Sequence, residues 1–259
     1  MGLPLFHRDF GGTGQPPLVI LHGMLGSSRN WQTAGQDLAI SSQVVALDAR
    51  NHGQSPHAES MDYAAMADDI IGWLDARCLP KVSLLGHSMG GKTAMLLACR
   101  HPDRVARLIV VDIAPRDYFW PGRRVEFDAM NALEVARLNS RGEAEQQLAA
   151  NIPDWAMRKF ITTNLERNPD GSWRWLINLP VLTAALPGLE QNPLTGTDIF
   201  NGPTQFVVGA KSNYVQPSDH AAIRQHFPGA KITTLAESGH NPHMEAREKF
   251  VSVVTGNGG

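Results

Sequence analysis

The chain has 259 residues, of which 42% are hydrophobic and 19% are charged, and its formal net charge is −2. This length and composition predict a globular protein with a large buried core and exclude a disordered chain. The small net charge and the lack of a long apolar run argue against a nucleic-acid partner, a membrane-surface partner and a membrane span.

The N-terminal residues, 1–14, contain neither a basic segment nor an apolar run of signal-peptide length, so we expect a cytoplasmic protein. Cys78 and Cys99 are the 2 cysteines of the chain, too few for a disulfide framework. Their apolar helical surroundings predict buried thiols. The C-terminal stretch TGNGG, residues 255–259, predicts a disordered tail.

Short β-rich runs alternate with helical patterns along most of the chain, and most of the runs are continuously apolar. This order predicts an α/β fold with a mostly parallel central sheet flanked by helices, in which the strands are buried on both faces. The segment Leu3 to Phe10 is a candidate antiparallel edge hairpin. The predicted strands are residues 17–21, 43–48, 81–86, 107–112, 204–209 and 231–236, and the predicted helices are residues 29–39, 62–77, 90–100, 217–226 and 243–254.

The alternation breaks once, in a helix-rich region punctuated by prolines. We interpret residues 115–202 as a helical cap inserted into a core domain made of residues 1–114 and 203–259. The region holds four of the 6 tryptophans. Open α/β sheets bind ligands at the carboxyl ends of their strands, and we expect the cap to cover that edge. The alternative is a small helical subdomain whose aromatic side chains form only its own core.

The segment GHSMGGKT, residues 86–93, matches two catalytic motifs. As a P-loop, it would place Lys92 and Thr93 on phosphate and magnesium. As G-x-S-x-G, it holds a nucleophilic Ser88 in a strained turn between a strand and a helix, with small residues two positions on either side. A P-loop usually opens its domain, whereas this segment follows several predicted strands. We therefore favour the serine, which leaves Lys92 and Thr93 as ordinary helix residues.

Three further segments favour the serine hydrolase. His22–Gly23 follows a buried strand and can aim a backbone N–H at a reacting carbonyl, so we assign the oxyanion hole to the amides of Met24 and Met89. Residues 48–55, DARNHGQS, form a tight polar loop after the next strand. His240 follows the last strand, where a general base can reach a serine at the same edge of the sheet.

Together these segments resemble the α/β-hydrolase superfamily over nearly the whole chain outside the insertion. The resemblance implies a Ser–His–acid triad, whose acid usually follows the strand after the insertion. There this chain has Ser212, which cannot supply a negative charge and whose removal we expect to matter little. We assign the acid to Asp112, at the end of the neighbouring strand. Asp198 and Asp219 are the other candidates, and a capping or turn-closing role is the alternative for Asp112.

The segments GHSMGGK, VVDIAPRDY and GAKSNYV are together similar to the small bacterial esterases of the YbfF type. The resemblance implies a carboxylesterase with the triad Ser88, Asp112 and His240. Thioesterase, lactonase and C–C hydrolase activities on the same triad, or a non-catalytic ligand-binding role of the same fold, remain open.

Tyr118, Phe119 and Trp120 come just after the strand that ends at Asp112, and this position makes them a candidate wall of an acyl pocket for short or medium apolar chains. His87 adjoins the nucleophile and either contacts the pocket or only packs. We interpret four other histidines as structural or surface residues without metal-ligand spacing, namely His52, His220, His226 and His243, so we expect no metal and no cofactor. We expect a monomer or homodimer that acts on a small-molecule ester.

Overall fold

The computed structural model describes residues 2–256. Its main sheet has seven strands in the order β1-β3-β2-β4-β5-β8-β9, and every neighbouring pair is parallel except β1 with β3. The fold class predicted from the sequence is confirmed. The strands are β1 (His7–Gly11), β2 (Leu18–Leu21), β3 (Val44–Leu47), β4 (Val82–His87), β5 (Val105–Val111), β6 (Leu165–Arg167), β7 (Trp173–Trp175), β8 (Thr204–Gly209) and β9 (Lys231–Leu235).

Helices cover both faces of the sheet, which explains the continuously apolar strands. Val19 and Leu21 of β2 join one buried cluster, whereas Leu18 and Ile20 join the cluster on the other face. The helices are α1 (Gln32–Leu38), α2 (Tyr63–Ala76), α3 (Met89–Arg100), α4 (Pro121–Ala132), α5 (Arg141–Leu148), α6 (Trp155–Thr162), α7 (Leu179–Glu190), α8 (His220–His226), α9 (Pro242–Glu245) and α10 (Arg247–Thr255). Across residues 2–256, none of these helices has the length and apolar character required to cross a membrane.

Two local predictions differ from the structure. The N-terminal segment forms an edge strand rather than a hairpin, because β1 pairs with β3 and not with β2, the next strand in sequence. The predicted helix 243–254 is two helices, because Ala246 leaves the helical region of backbone space at φ −134° and ψ 46°.

The thiol and tail predictions are corrected in part. Cys78 is exposed, because it lies just past the end of α2 with φ 51° rather than on the buried face of a helix. Cys99 is half-buried, and burial raises the pKa of its thiol to about 12. In the predicted tail, Thr255 ends α10 and Gly256 follows it at φ 79°, while residues 257–259 lie outside the described residues.

The segment between β5 and β8, residues 115–202 and hereafter the insertion, contains α4 to α7 and an antiparallel hairpin of β6 and β7. The expectation of a helix-rich cap did not include this hairpin, whose alternating W-R-W pattern is typical of a half-buried strand. Buried insertion residues such as Phe127 and Leu182 belong to the same hydrophobic cluster as Met89 and Val110 of the sheet layer. The core of the insertion is therefore continuous with that of the sheet.

Candidate active site

Ser88 lies in the sharp turn between β4 and α3, with φ 52° and ψ −116°. A side chain rarely tolerates this conformation, and it persists only where the surroundings impose it. The backbone N–H of Ser88 donates to the carbonyl oxygen of Val111 on the adjacent strand at 3.1 Å. A Cβ atom at Gly86 or Gly90 would collide with backbone carbonyl oxygens, which explains the small residues on both sides of the serine.

Lys92 is buried rather than poised over a phosphate site. Its ammonium group donates to the carbonyl oxygens of Glu190 at 2.9 Å and Gln191 at 2.7 Å, at the C-terminal end of α7. The ring of Tyr118 lies 4.9 Å away, and burial lowers the pKa of the lysine to about 7. The P-loop interpretation therefore fails, and Lys92 is more than an ordinary helix residue, because it joins α3 to the insertion.

Asp112 follows β5 and is completely buried. Its Oδ2 accepts a hydrogen bond from His240 Nδ1 at 2.8 Å, and its Oδ1 accepts one from the backbone N–H of Gly209 at 3.0 Å. Since a carboxylate only accepts, this contact places the imidazole proton on Nδ1 and leaves Nε2 free to act as a base. The other candidate acids lie elsewhere: Asp219 pairs with Arg116 at 3.0 Å, and Asp198 accepts hydrogen bonds from Thr195.

Ser212 occupies the position where the family usually has its acid, and in the structure it contacts the carboxylate of Asp112. Its hydroxyl donates to Oδ2 of Asp112 and accepts the backbone N–H of Tyr214 at 3.1 Å. The Tyr214 ring in turn stacks on the His240 ring, with 3.7 Å between centroids. Neither contact was predicted from the sequence. The available signal was the position of Ser212 after β8, because the loop that follows β8 lies beside Asp112.

The loop that carries His240 is fixed from two directions. The carboxylate of Glu245 accepts the backbone N–H groups of Gly239 at 2.6 Å and Asn241 at 3.0 Å. Below the loop, His87 Nε2 donates to the carbonyl oxygen of His240 at 2.8 Å, and burial holds the pKa of His87 well below its usual range. His87 therefore has a contact in the site as well as a packing role.

The proposed oxyanion donors are the backbone N–H groups of Met24, in the loop after β2, and of Met89, which directly follows Ser88. Met89 is the first residue of α3, so its N–H has no acceptor within the helix and lies at the positive end of the helix dipole. Within residues 2–256, neither N–H donates a hydrogen bond to another protein group. Their assignment as oxyanion donors stays a prediction.

Ser88, His240 and Met24 line one cavity of about 370 Å³. In the described part of the chain no direct hydrogen bond joins Ser88 Oγ to His240, and such bonds are often long before substrate binds. The insertion supplies the opposite wall of the cavity. Its lining residues from the insertion are Arg123, Asp154, Ala156, Met157 and Phe160.

Tyr118 and Trp120 do not line this cavity, which corrects the expectation of an acyl pocket built from them. The Tyr118 hydroxyl is held by the carbonyl oxygen of Tyr214 at 2.6 Å and the N–H of Ala114 at 2.9 Å. Both rings pack behind Tyr214. The apolar wall comes instead from Met157 and Phe160, whose i, i+3 spacing on α6 was the available signal.

A model of the α/β-hydrolase fold family matches residues 16–247. This chain belongs to the α/β-hydrolase fold family. The resemblance drawn from its motifs is thereby confirmed.

Two curated relatives of this α/β hydrolase act on esters by name. It is 38% identical over 262 residues to the sn-1-specific diacylglycerol lipase ABHD11 of Mus musculus, a match that covers 98% of this chain and 84% of the mouse protein. It is 34% identical over 241 residues to the esterase YbfF of Escherichia coli, covering 92% and 91% of the two chains. Among solved structures, a marine microorganism esterase superposes with a TM-score of 0.94 at 35% identity, covering 98% of both chains. The α/β hydrolase described here is an ester-hydrolysing enzyme.

Proposed function

We propose that the protein is a serine carboxylesterase that forms an acyl-enzyme on Ser88. The observation that carries the proposal is the 2.8 Å hydrogen bond between the buried Asp112 and His240, at the cavity that also contains Ser88. An acid that orients an imidazole beside a strained serine is the arrangement from which acyl transfer proceeds.

In the proposed reaction, His240 Nε2 takes the proton of Ser88 as its oxygen attacks the ester carbonyl. The N–H groups of Met24 and Met89 bind the developing oxyanion, and Asp112 stabilises the imidazolium. The alcohol leaves with the proton from His240. A water molecule, activated by the same imidazole, then releases the acid and restores Ser88.

The cavity walls support small or medium apolar acyl groups as substrates. Met24, Met157, Phe160 and Met244 line a space of about 370 Å³, at the lower end of typical ligand sites. We further propose that the insertion acts as a cap domain over the core formed by residues 1–114 and 203–259. A cytoplasmic location and a monomeric or homodimeric state stay predictions from the sequence.

Covalent labelling with a fluorophosphonate tests the nucleophile. We expect one adduct on the peptide that contains Ser88, and complete loss of labelling and of p-nitrophenyl butyrate hydrolysis in Ser88→Ala. Ser172→Ala is the matched control, because Ser172 is a half-buried residue of the β6–β7 turn, and among the described residues its hydroxyl forms hydrogen bonds only with Asn168 and Asp170. A wild-type protein that is folded yet neither labelled nor active is a ligand-binding protein, and the proposal fails.

A substrate panel tests the substrate class. It contains p-nitrophenyl acetate, butyrate, octanoate and palmitate, a diacylglycerol because of the mouse relative's name, one lactone and one acyl-CoA. We expect the highest kcat/KM for the short and medium p-nitrophenyl esters. A higher kcat/KM for the acyl-CoA or the lactone would overturn the carboxylesterase assignment while leaving the triad intact.

A further inference from the structure

Resting on the proposed function, we propose that Asn164 and His52 are positioning residues for the oxyanion hole. They hold the backbone of Leu25, the residue that follows the proposed donor Met24, by one hydrogen bond to its carbonyl oxygen and one to its N–H. The segment from His22 to Gly26 is called the oxyanion loop below.

Leu25 adopts φ 60°, in the left-handed region that a branched side chain rarely enters. Such a conformation is strained and persists only where neighbouring groups impose it. The N–H of Leu25 donates to His52 Nε2 at 3.2 Å, and its carbonyl oxygen accepts from Asn164 Nδ2 at 2.8 Å. One residue is thus held from both ends at the point where the loop turns.

His52 is built to accept that hydrogen bond. Its Nδ1 faces the carbonyl oxygen of Arg50 at 3.0 Å, which requires the proton on Nδ1 and leaves Nε2 as an acceptor. The ring is fully buried, and burial lowers its pKa to about 3, so the acceptor is retained at neutral pH.

Asn164 is the only described residue of the insertion whose side chain hydrogen-bonds the oxyanion loop. It directly follows the turn that ends α6, and its own backbone is fixed by the N–H of Leu176, which donates to the Asn164 carbonyl oxygen at 2.8 Å. Helix α6 also presents Met157 and Phe160 to the cavity. The insertion therefore contacts the substrate space and the oxyanion loop through one short stretch of chain.

Asn178 provides a matched control within the same insertion. Its Nδ2 donates to Asn51 Oδ1 at 3.1 Å and to the carbonyl oxygen of Ala58 at 3.3 Å. Like Asn164, it joins the insertion to a loop of the core through an amide side chain. Its partners Asn51 and Ala58 lie outside the oxyanion loop. A merely structural role for Asn164 predicts equal effects at the two asparagines.

The experiment compares Asn164→Ala and Asn164→Asp with Asn178→Ala and Asn178→Asp, using p-nitrophenyl butyrate. An aspartate at position 164 cannot donate a hydrogen bond, and its negative charge repels the carbonyl oxygen of Leu25. The oxyanion loop, including the N–H of Met24, is therefore displaced. We expect kcat to fall by about 10- to 100-fold, less than the full loss of a donor, because the Met24 N–H is displaced rather than removed. KM should change by less than about twofold, because substrate binding precedes oxyanion formation.

A second readout is the inhibition constant of a butyl boronic acid, which mimics the tetrahedral intermediate. We expect it to rise in parallel with the loss of kcat in the Asn164 variants and to stay near the wild-type value in the Asn178 variants. Equal loss of kcat at both asparagines, or a change confined to KM or to the melting temperature, would overturn the proposal.

The histidine is tested by rescue. Glutamine at position 52 retains a side-chain oxygen that accepts the Leu25 N–H, whereas leucine does not. We expect His52→Gln to keep most of the kcat that His52→Leu loses, and if His52→Leu fails to fold, the asparagine comparison still decides. Failure of the proposed function shows as wild-type protein without a Ser88 adduct, whereas failure of this inference shows as labelled wild type with unaffected Asn164 variants.

Discussion

Replacing Asp112 with asparagine keeps the shape of a fully buried side chain but removes its charge. Three donors converge on the wild-type carboxylate: the N–H of Gly209 at 3.0 Å, the hydroxyl of Ser212, and His240 Nδ1 at 2.8 Å. An asparagine offers one oxygen and one NH₂ group to these donors. At least one of the contacts must therefore fail.

If the amide oxygen stays on Gly209, the NH₂ group faces His240 Nδ1, and the imidazole proton moves to Nε2. The ring can then no longer accept the proton of Ser88, a defect that lowers kcat by about 10⁴-fold in a serine–histidine–aspartate site. This corresponds to about 5.5 kcal/mol. If the amide flips, its NH₂ group opposes the Gly209 N–H, and the unpaired buried donor costs about 1–3 kcal/mol. We expect a fall between about 10²- and 10⁴-fold.

The assay is the initial rate of p-nitrophenyl butyrate hydrolysis, with far-UV circular dichroism as the check on folding. Asp219→Asn is the matched control, because Asp219 is a buried aspartate that pairs with Arg116 rather than with His240. We expect it to retain most activity. Asp112→Asn with near-wild-type activity would refute the assignment of the acid, and loss of activity in Asp219→Asn alone would move the assignment there.

Three smaller perturbations test the surroundings of the site. Ser212→Ala removes a hydrogen bond to the buried carboxylate of Asp112, and we expect kcat to fall by about 10-fold, whereas an unchanged kcat would support the dispensable role first expected for this serine. Lys92→Met leaves buried carbonyl oxygens unpaired at the end of α7, and we expect urea unfolding at pH 7 to show a loss of about 1–3 kcal/mol. Because burial lowers the folded-state pKa of Lys92 from 10.5 to about 7, the wild-type free energy of unfolding should also rise with pH between those values, and that rise should be absent in Lys92→Met. Burial lowers the pKa of His243 from 6.5 to about 3, so the free energy of unfolding should fall as pH drops between these values, by up to about 1.4 kcal/mol per pH unit. His243→Phe should reduce the slope of this pH dependence while keeping the ring stacked on Trp31. An unchanged slope would contradict the buried neutral state of His243.

The sheet was predictable because its strands are continuously apolar and its helices alternate with them. The pairing of Asp112 with His240 was predictable for a related reason. Asp112 directly follows β5, and β5 lies beside β8, so a carboxylate after either strand can meet the same histidine. In the structure the Asp112–His240 contact follows from that adjacency.

The prediction about the pocket walls failed, and the contact of Ser212 was not predicted, because both depend on side-chain packing, which sequence patterns do not encode. The positions of Tyr118 and Trp120 in the chain were suggestive, but Tyr118 turns toward the carbonyl oxygen of Tyr214, and the rings stack away from the cavity. Met157 and Phe160 were missed because α6 gains its role only when the insertion folds back over the sheet edge. The bond between Ser212 and Asp112 depends on a side-chain rotamer, which local pattern does not specify.

The ammonium group of Lys92 anchors the last turn of α7 directly to α3. To lift away as a rigid lid, the insertion would have to break both of these hydrogen bonds. A movement of α4 to α6 alone would leave them in place. Such a movement would break the hydrogen bond from Asn164 to the carbonyl oxygen of Leu25. The cavity would then be open only while the oxyanion loop lacks this hydrogen bond.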